Sequence, residues 1–481
     1  MEKFTGFSKV SQDEWQILQQ GVMEVPVRIF ASQAILQDAM KDESFQQARH
    51  AAALPGVMGQ VVVMPDVHQG YGFPIGGVAA MSYADGVISP GAIGYDINCG
   101  VRLLSSQIPY QEAKGSLDDL LLALDQACPS GMKRNSPFPL NKKQLDQILE
   151  QGSPWLKKKG QASQRDIEHT ESQGCLSFAN PDEVSERAKL RGLNQLGTLG
   201  SGNHFLEIGV VDDLFDEEAA AVMGLAVGNL TIMIHCGSRG LGHQVCGDYL
   251  QILQQSMQRD QLIAPNRDLS FAYLQSREGQ RYLGAMGAAA NFAFANRQLL
   301  AQQVRQVFDQ VLAGKIKRRE VNLVYDVAHN MGNLEMHRIH EKDSRVFVHR
   351  KGATRAFGPG SVEIPASYRQ IGQPVLVPGS MGTSSWVLLG TQKAMEKSFG
   401  SCCHGAGRLL SRKKAKQVMD GYRIMNDLKQ HGVLVRTASI QGLAEEAPGA
   451  YKDVDAVIAC VTAVGIARKV ARLLPVAVIK G

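Results

Sequence analysis

Three histidines, His204, His235 and His329, each read as standing just after a short strand, with glycine or asparagine beside them. They lie in GSGNHFLEIG, IHCGSRGLGH and YDVAHNMGN. A sheet fixes the backbone of such a residue, so a histidine there is well placed to hold a ligand. One such histidine is usually structural. Three in the same setting call for a fold that brings distant strand ends together. The loop GAIGYDINCGVR adds Asp96 and Cys99, three residues apart and flanked by glycine. A carboxylate and a thiolate at that spacing can point at one divalent ion. Five candidate ligands are too many for one closed tetrahedral site. They suit two ions with a bridging thiolate and open positions, which is a catalytic layout. Ligand type alone favours zinc, because a thiolate is present.

Glycine supports this reading. The chain of 481 residues has 49 glycines, above the usual share of about 7%. They bunch around the histidines rather than in linkers, as expected where backbone must approach a ligand closely. Length alone suggests roughly two to four domains. Hydrophobic content of 44% and charged content of 20% fit a folded soluble protein with a substantial core. The start, MEKFTGFSKVSQDEW, is polar and is no signal peptide, and no apolar run reaches the ~20 residues of a membrane span. The expectation is a cytoplasmic protein without a membrane. Eight cysteines in so long a chain do not make a disulfide framework. Cys236 and Cys246 lack a CxxC partner and read as small buried residues. Cys402 and Cys403 are adjacent, so in a regular strand they point apart and at most one faces a site.

Residues 60–105 alternate short β-rich runs with glycine turns, and strands are expected near 204–210, 230–235, 321–327, 345–349 and 373–377. Residues 112–195 are polar with helical periodicity, a helical excursion from the main body. A helix is expected from His243, and residues 272–313 read as mostly helical. The net charge of +5 is mild. Basic clusters at Lys157–Lys159, Lys315–Arg319 and Arg412–Lys414 suit phosphate backbones, or equally a solvated surface.

No GxxxxGK[ST], HExxH or lysine-centred KxDG motif occurs. Instead PGSMGTSS, residues 378–385, has the composition of a phosphate or nucleotide cradle, with glycines for close approach and hydroxyls and N–H groups as donors. HGAGR, residues 404–408, repeats that logic, with Arg408 able to offset phosphate charge. On these grounds alone His404 is a metal ligand, a structural residue or a nucleophile.

Taken together, MPDVHQGYGFPIGG, GAIGYDINCGVR, GSGNHFLEIG, HCGSRGLGH, YDVAHNMGN, HRKGATRAFGPG, VPGSMGTSSW, SFGSCCHGAGR, APGAYKDVD and the terminal VIKG strongly resemble the RtcB family of GTP-dependent RNA-splicing ligases. The ten blocks run in the family's order from about residue 54 to the C-terminus. The resemblance implies an α+β fold: a single catalytic domain over 1–481, with central β-sheets, peripheral helices and site residues converging from the whole chain. It implies two manganese ions bridged by Cys99, with Asp96 and His204 on one and His235 and His329 on the other. His404 becomes the nucleophile that takes GMP from GTP, with Asp66 orienting it. Asn203, His204, Phe205, Leu206 and Glu207 would line the nucleotide pocket, Glu207 accepting from the guanine edge. His329, Asn330, Pro378, Gly379, Ser380, Met381, Ser385, Gly405, Ala406 and Gly407 would complete the cradle. Tyr451 would stack on the base and Lys480 reach guanine O6. Arg239 and the basic clusters would serve RNA: transfer-RNA halves, or cleaved RNA under repair. The implied enzyme is a monomer with archease as an activator. Two other classes compete: a two-metal phosphoesterase that needs no nucleotide, and a non-catalytic RNA-binding protein.

Overall fold

The expected strands pair into two large sheets, and their register explains where the site residues meet. The computed structural model describes residues 6–131 and 135–481, so the first five residues of the polar start lie outside the described residues. One sheet has eight strands. Seven run in the order Val321–Ala328, Gly100–Pro109, Asn229–Cys236, Phe205–Leu214, Ala467–Lys480, Ser385–Gly390 and Pro374–Val377, all antiparallel. The eighth, Leu434–Thr437, lies parallel to Ala467–Lys480. The two edge strands of the path touch, so the sheet nearly closes as a barrel. The second sheet has seven strands, in the order Ser8–Ser11, Glu14–Ile17, Val27–Phe30, Val57–His68, Ile75–Ser82, Lys342–Lys351 and Asn330–Ile339.

In the barrel-like sheet Gly100 pairs with Cys236 and Ala328, while Phe205 pairs with His235 and Lys480. Antiparallel neighbours put a strand's start beside the next strand's end. One rim therefore gathers Cys99 and His204, which precede strands, with His235, His329 and Lys480, which end or follow them. His204 thus stands just before its strand and not after one, a correction to the sequence reading. Its preceding GSGN turn is glycine-rich, with Gly200 and Gly202 in left-handed conformations, which makes the order of loop and strand hard to read. His329 also joins the two sheets: Val321–Ala328 belongs to the barrel and Asn330–Ile339 to the other sheet.

Helices cover these sheets. The 112–195 stretch, apart from 132–134, which lie outside the described residues, carries short helices, among them Leu117–Ala127, Lys142–Gln151 and Glu186–Gly192. Leu117–Ala127 buries Leu117, Leu120, Leu121 and Leu124, the three-to-four spacing of one helix face. Lys142–Gln151 opens on an Asn141/Gln144 capping box. The long helix Arg277–Leu312 is capped by Ser276 and is buried through its alanine-rich middle. The next helix upstream spans Arg239–Arg259, starting four residues before the expected His243. Gly240 and Gly242 hide that first turn, because glycine disfavours a helix interior. A Cβ at Gly242 would meet Ser238 Oγ at 1.9 Å, so close packing requires the glycine. Among the described residues no helix is long and apolar enough to cross a membrane.

Candidate metal and nucleotide site

A cavity of about 1200 Å³ opens at that rim and reaches into both sheets. At its floor Cys99 Sγ lies 3.3 Å from His235 Nε2 and 3.6 Å from His204 Nε2. His235 Nε2 lies 3.3 Å from His329 Nε2, and His204 Nε2 lies 2.8 Å from Asp96 Oδ2. These form two groups that could each hold a metal ion, Asp96–Cys99–His204 and Cys99–His235–His329, with Cys99 in both. The donor chemistry fits cations. His204 Nδ1 donates to Leu199 O, which leaves the Nε2 lone pair facing the Asp96 carboxylate and the Cys99 sulfur. His235 and His329 meet ring nitrogen to ring nitrogen. Such acceptor-to-acceptor contacts need a proton or a cation between them. In the protein alone, burial and neighbouring cationic groups push His235 and His329 well below the imidazole range. At His204 burial acts the same way, but Cys236, Asp96 and Cys99 outweigh it and raise the ring's pKa. Burial and Asp96 push the Cys99 thiol up to about 12; a bound metal reverses that by taking the thiolate.

Groups behind the floor hold these donors in place. Arg297, fully buried on the long helix, donates from Nη1 to Asn98 O at 2.7 Å and to Cys236 O at 2.9 Å. Its charge is met by Asp326, which also pairs with buried Arg102. One guanidinium thereby ties the Asp96–Cys99 loop to the end of the His235 strand. Ser238 donates to Asp96 Oδ1 from its N–H at 3.0 Å and from its hydroxyl at 3.2 Å. Asn98 and Arg239 have φ of 52° and 55°, strained values for side-chain-bearing residues, such as cluster at functional sites.

His404 follows the short strand Ser401–Cys403, which pairs with Ala353–Arg355. Its ring centroid is 4.8 Å from that of His329. Asp66, wholly buried, accepts at Oδ2 from His404 Nδ1 at 2.6 Å, His404 N at 2.9 Å and Gly405 N at 3.3 Å. Burial pushes the Asp66 carboxyl up, but His404 and Lys452 outweigh it and hold it below its usual value. With Nδ1 held by Asp66, Nε2 is the ring nitrogen left for chemistry. A Cβ at Gly407 would meet Asp66 O at 2.1 Å, so the HGAGR turn closes on Asp66 only with glycine there.

The cavity continues past His404 to Glu207, Lys480, Glu446 and Tyr451. Glu207 is buried, with Ser385 Oγ donating at 3.3 Å. Burial pushes its carboxyl up to about 8, against Ser385 and Lys480. Burial likewise pulls Lys480 down to about 8, against Glu446. Glu446 also draws in Arg408 at 3.3 Å and Arg412 at 3.2 Å. The Arg408 guanidinium lies 4.8 Å from the Tyr451 ring centroid, so one face of that ring is already covered.

Most residues picked out from the sequence do line this one cavity: Asp96, Cys99, Asn203, His204, Phe205, Glu207, His235, His329, Asn330, Pro378, Gly379, Ser380, Met381, His404, Gly405, Ala406, Gly407, Tyr451 and Lys480. Leu206 does not. Strand alternation turns it into the apolar core with Ile208 and Ile234. Asp66 and Ser385 are off the cavity wall and touch His404 and Glu207, which line it. Of the basic clusters only Arg412 reaches the wall, with Arg239. Cys236 and Cys246 are buried in no group of metal-capable donors. Cys402 and Cys403 do not point apart as expected: their sulfurs lie 3.9 Å from each other, at the end of a strand only three residues long; neither lines the cavity. Arg297, Asp326, Asn98 and Glu446 were missed. The signal for Arg297 was the polar triplet Asn296–Arg297–Gln298 inside an otherwise apolar helical stretch.

Comparison with known proteins identifies the family. The family model described as "tRNA-splicing ligase RtcB" matches residues 47–481. The chain is 48% identical over its full length to the tRNA-splicing ligase RtcB of Thermococcus kodakarensis, covering all of that protein. It is 46% identical to that of Archaeoglobus fulgidus, over 98% of both chains. It is also 46% identical to RNA-splicing ligase RtcB homolog 1 of Entamoeba histolytica, over 91% of this chain and 83% of that one. A match of this extent, over a rim where the family's blocks converge, shows that the chain belongs to the RtcB family.

Proposed function

We propose that this chain is an RNA ligase that seals RNA 3′-phosphate or 2′,3′-cyclic phosphate ends to 5′-hydroxyl ends, using GTP and two manganese ions, in transfer-RNA splicing, RNA repair or both. The observation that carries the reading is His404: its Nδ1 is held by a buried carboxylate, its Nε2 has no hydrogen-bond partner among the described residues, and it lines the same cavity as the paired donor cluster, Glu207 and Lys480. Asp96, Cys99 and His204 would hold one ion, and Cys99, His235 and His329 the other. Bound there, the ions supply charge neutralisation on the reacting phosphate oxygens.

The chain's own residues do the rest. Asp66 fixes the His404 tautomer and offsets the positive charge that develops when Nε2 bonds to the α-phosphorus of GTP and pyrophosphate leaves. Glu207 as a carboxylate accepts from guanine N1 and N2, and Lys480 donates to O6; adenine would leave both unpaired. The glycines of Pro378–Met381 and Gly405–Gly407 let backbone N–H groups approach the phosphates. A cyclic RNA end would first be opened by water to a 3′-phosphate. The P–N bond to His404 then breaks as GMP passes to the RNA 3′-phosphate. Finally the 5′-hydroxyl oxygen bonds to that 3′-phosphorus, and GMP leaves with the bridging oxygen. Residues 1–481 would act as one catalytic unit, since its side chains come from Asp66 to Lys480.

The test is a sealing assay. Two RNA strands, one ending in 3′-phosphate and one starting with 5′-hydroxyl, are incubated with the chain, GTP and Mn²⁺. The expected product is one joined strand, absent with ATP and absent with His404→Ala. Loss of the 3′-phosphate without joining, at equal rate with or without GTP, would instead indicate a two-metal phosphoesterase.

A further inference from the structure

One wall of the same cavity has no part in that mechanism. Tyr71, Tyr95 and His243 line it, and none of the three has been assigned to metal, guanine or the reacting phosphate. Tyr71 and Tyr95 are each 38% exposed, large rings that line the cavity. Their centroids lie 5.6 Å apart at an interplanar angle of 62°, and the Tyr95 and His243 rings lie 6.1 Å apart at 30°. The result is a stepped aromatic ledge beside Asp96.

The ledge is built on clamped backbone. Lys351, itself buried, donates from Nζ to Tyr71 O and Gly91 O. Gln47 binds both the N–H and the carbonyl of Gly70. A Cβ at Gly72 would meet Asp268 O at 2.6 Å, so this turn is pressed against the 267–269 segment. Rings on such a support lose little freedom when a ligand covers them. Arg239 and Arg191 also line the cavity, both close enough to His243 to act on its charge, with Arg191 held by Gln244. Exposed aromatic faces interleaved with arginines are what single-stranded nucleic acid binds: bases stack on the rings and the backbone phosphates meet the cations.

We infer that Tyr71, Tyr95 and His243 form a stacking platform for an RNA base next to the reacting end, distinct from the guanine cradle. The inference rests on the ligase reading above. Stacking uses the face that every base has, so the platform holds the strand without choosing its sequence. It thereby positions RNA ends of varied sequence against one reaction centre.

The test is a cycle between protein and RNA. The full chain with Mn²⁺, without GTP, is titrated into fluorescein-labelled 3′-phosphate and 5′-hydroxyl oligonucleotides. Each has its terminal or penultimate nucleotide replaced in turn by an abasic one. At one or more of these positions the wild type should bind the abasic RNA about 5- to 150-fold more weakly than intact RNA. The Tyr71→Leu/Tyr95→Leu variant should bind intact RNA as weakly as wild type binds that abasic RNA, and should show no further abasic loss. Tyr71→Phe and Tyr95→Phe should keep the wild-type discrimination. His243→Leu supplies the same comparison should the double variant not fold. An abasic penalty of equal size in wild type and leucine variants, or no penalty in wild type at any position, overturns the platform. If the wild type seals RNA yet shows no penalty, the platform alone falls. If it neither binds nor seals RNA ends, the ligase reading falls with it.

Discussion

At the scale of single residues, the carboxylate behind His404 is the most consequential contact. One oxygen of Asp66 receives three N–H groups from His404 and Gly405. Asp66→Asn keeps the volume and removes the charge. The rate of His404 guanylylation should fall on the order of 10²- to 10⁴-fold, measured by single-turnover labelling; a rate within a few-fold of wild type would remove Asp66 from the chemistry. Glu207 and Lys480 make a second prediction. Both have pKa values near 8 in the free protein. Guanine favours the Glu207 carboxylate and the Lys480 ammonium. Affinity should therefore rise with pH as Glu207 loses its proton, peak near pH 8, and fall as Lys480 discharges, by at most about tenfold per unit on each limb. Calorimetric titration with GMP from pH 6 to 9.5 would show the bell. Glu207→Gln should remove the acid limb and Lys480→Met the alkaline one; a flat wild-type profile would contradict the pairing.

At the scale of elements, the antiparallel register gathers the ligands, and close packing at the strand ends sharpens the site. A Cβ on Gly237 would sit 2.4 Å from both Asp96 carboxylate oxygens. Gly237→Ala should therefore displace Asp96 and weaken Mn²⁺ binding about 10- to 100-fold, read by metal titration; unchanged affinity would mean that Asp96 is no ligand. Arg297→Met strands the Asp326 charge beside Arg102 alone and frees the Asn98 and Cys236 carbonyls. A loss of about 3–5 kcal/mol in stability is expected, measured by denaturant titration. The elements also show what is readable from sequence. The Arg277–Leu312 helix was legible because its richness in alanine, glutamine and arginine, all good helix formers, is local. The strands around His235 and His329 were legible as short apolar runs. The helix start at Arg239 was hidden by Gly240 and Gly242, whose role is tertiary packing. The Arg297 clamp was invisible because its partners, Asn98, Cys236 and Asp326, are far apart in the chain and nothing local marks their meeting.

At the scale of the whole molecule, the site is a joint between two sheets. His329 links them, Asp66 comes from one sheet, and Cys99, His204, His235 and Lys480 come from the rim of the other. Length pointed to several domains, but the candidate site residues' spread from Asp66 to Lys480 makes sense only in a fold that closes on one cavity. The donor types were legible; the choice of cation was not, since ligand type alone favours zinc and manganese came only from the family resemblance. Metal binding should hold the two sheets together. Mn²⁺ at 100 times its dissociation constant should add about 2.7 kcal/mol of stability and raise the thermal midpoint, an effect lost in Cys99→Ala; an equal shift in that variant would place the stabilising ion elsewhere. The central claim is that His404 is the nucleophile. Its most direct test is incubation with α-labelled GTP and Mn²⁺ followed by denaturing electrophoresis. The expected result is a labelled band that is acid-labile, alkali-stable and absent from His404→Ala. No label on the wild-type chain, or equal label on His404→Ala, would contradict it.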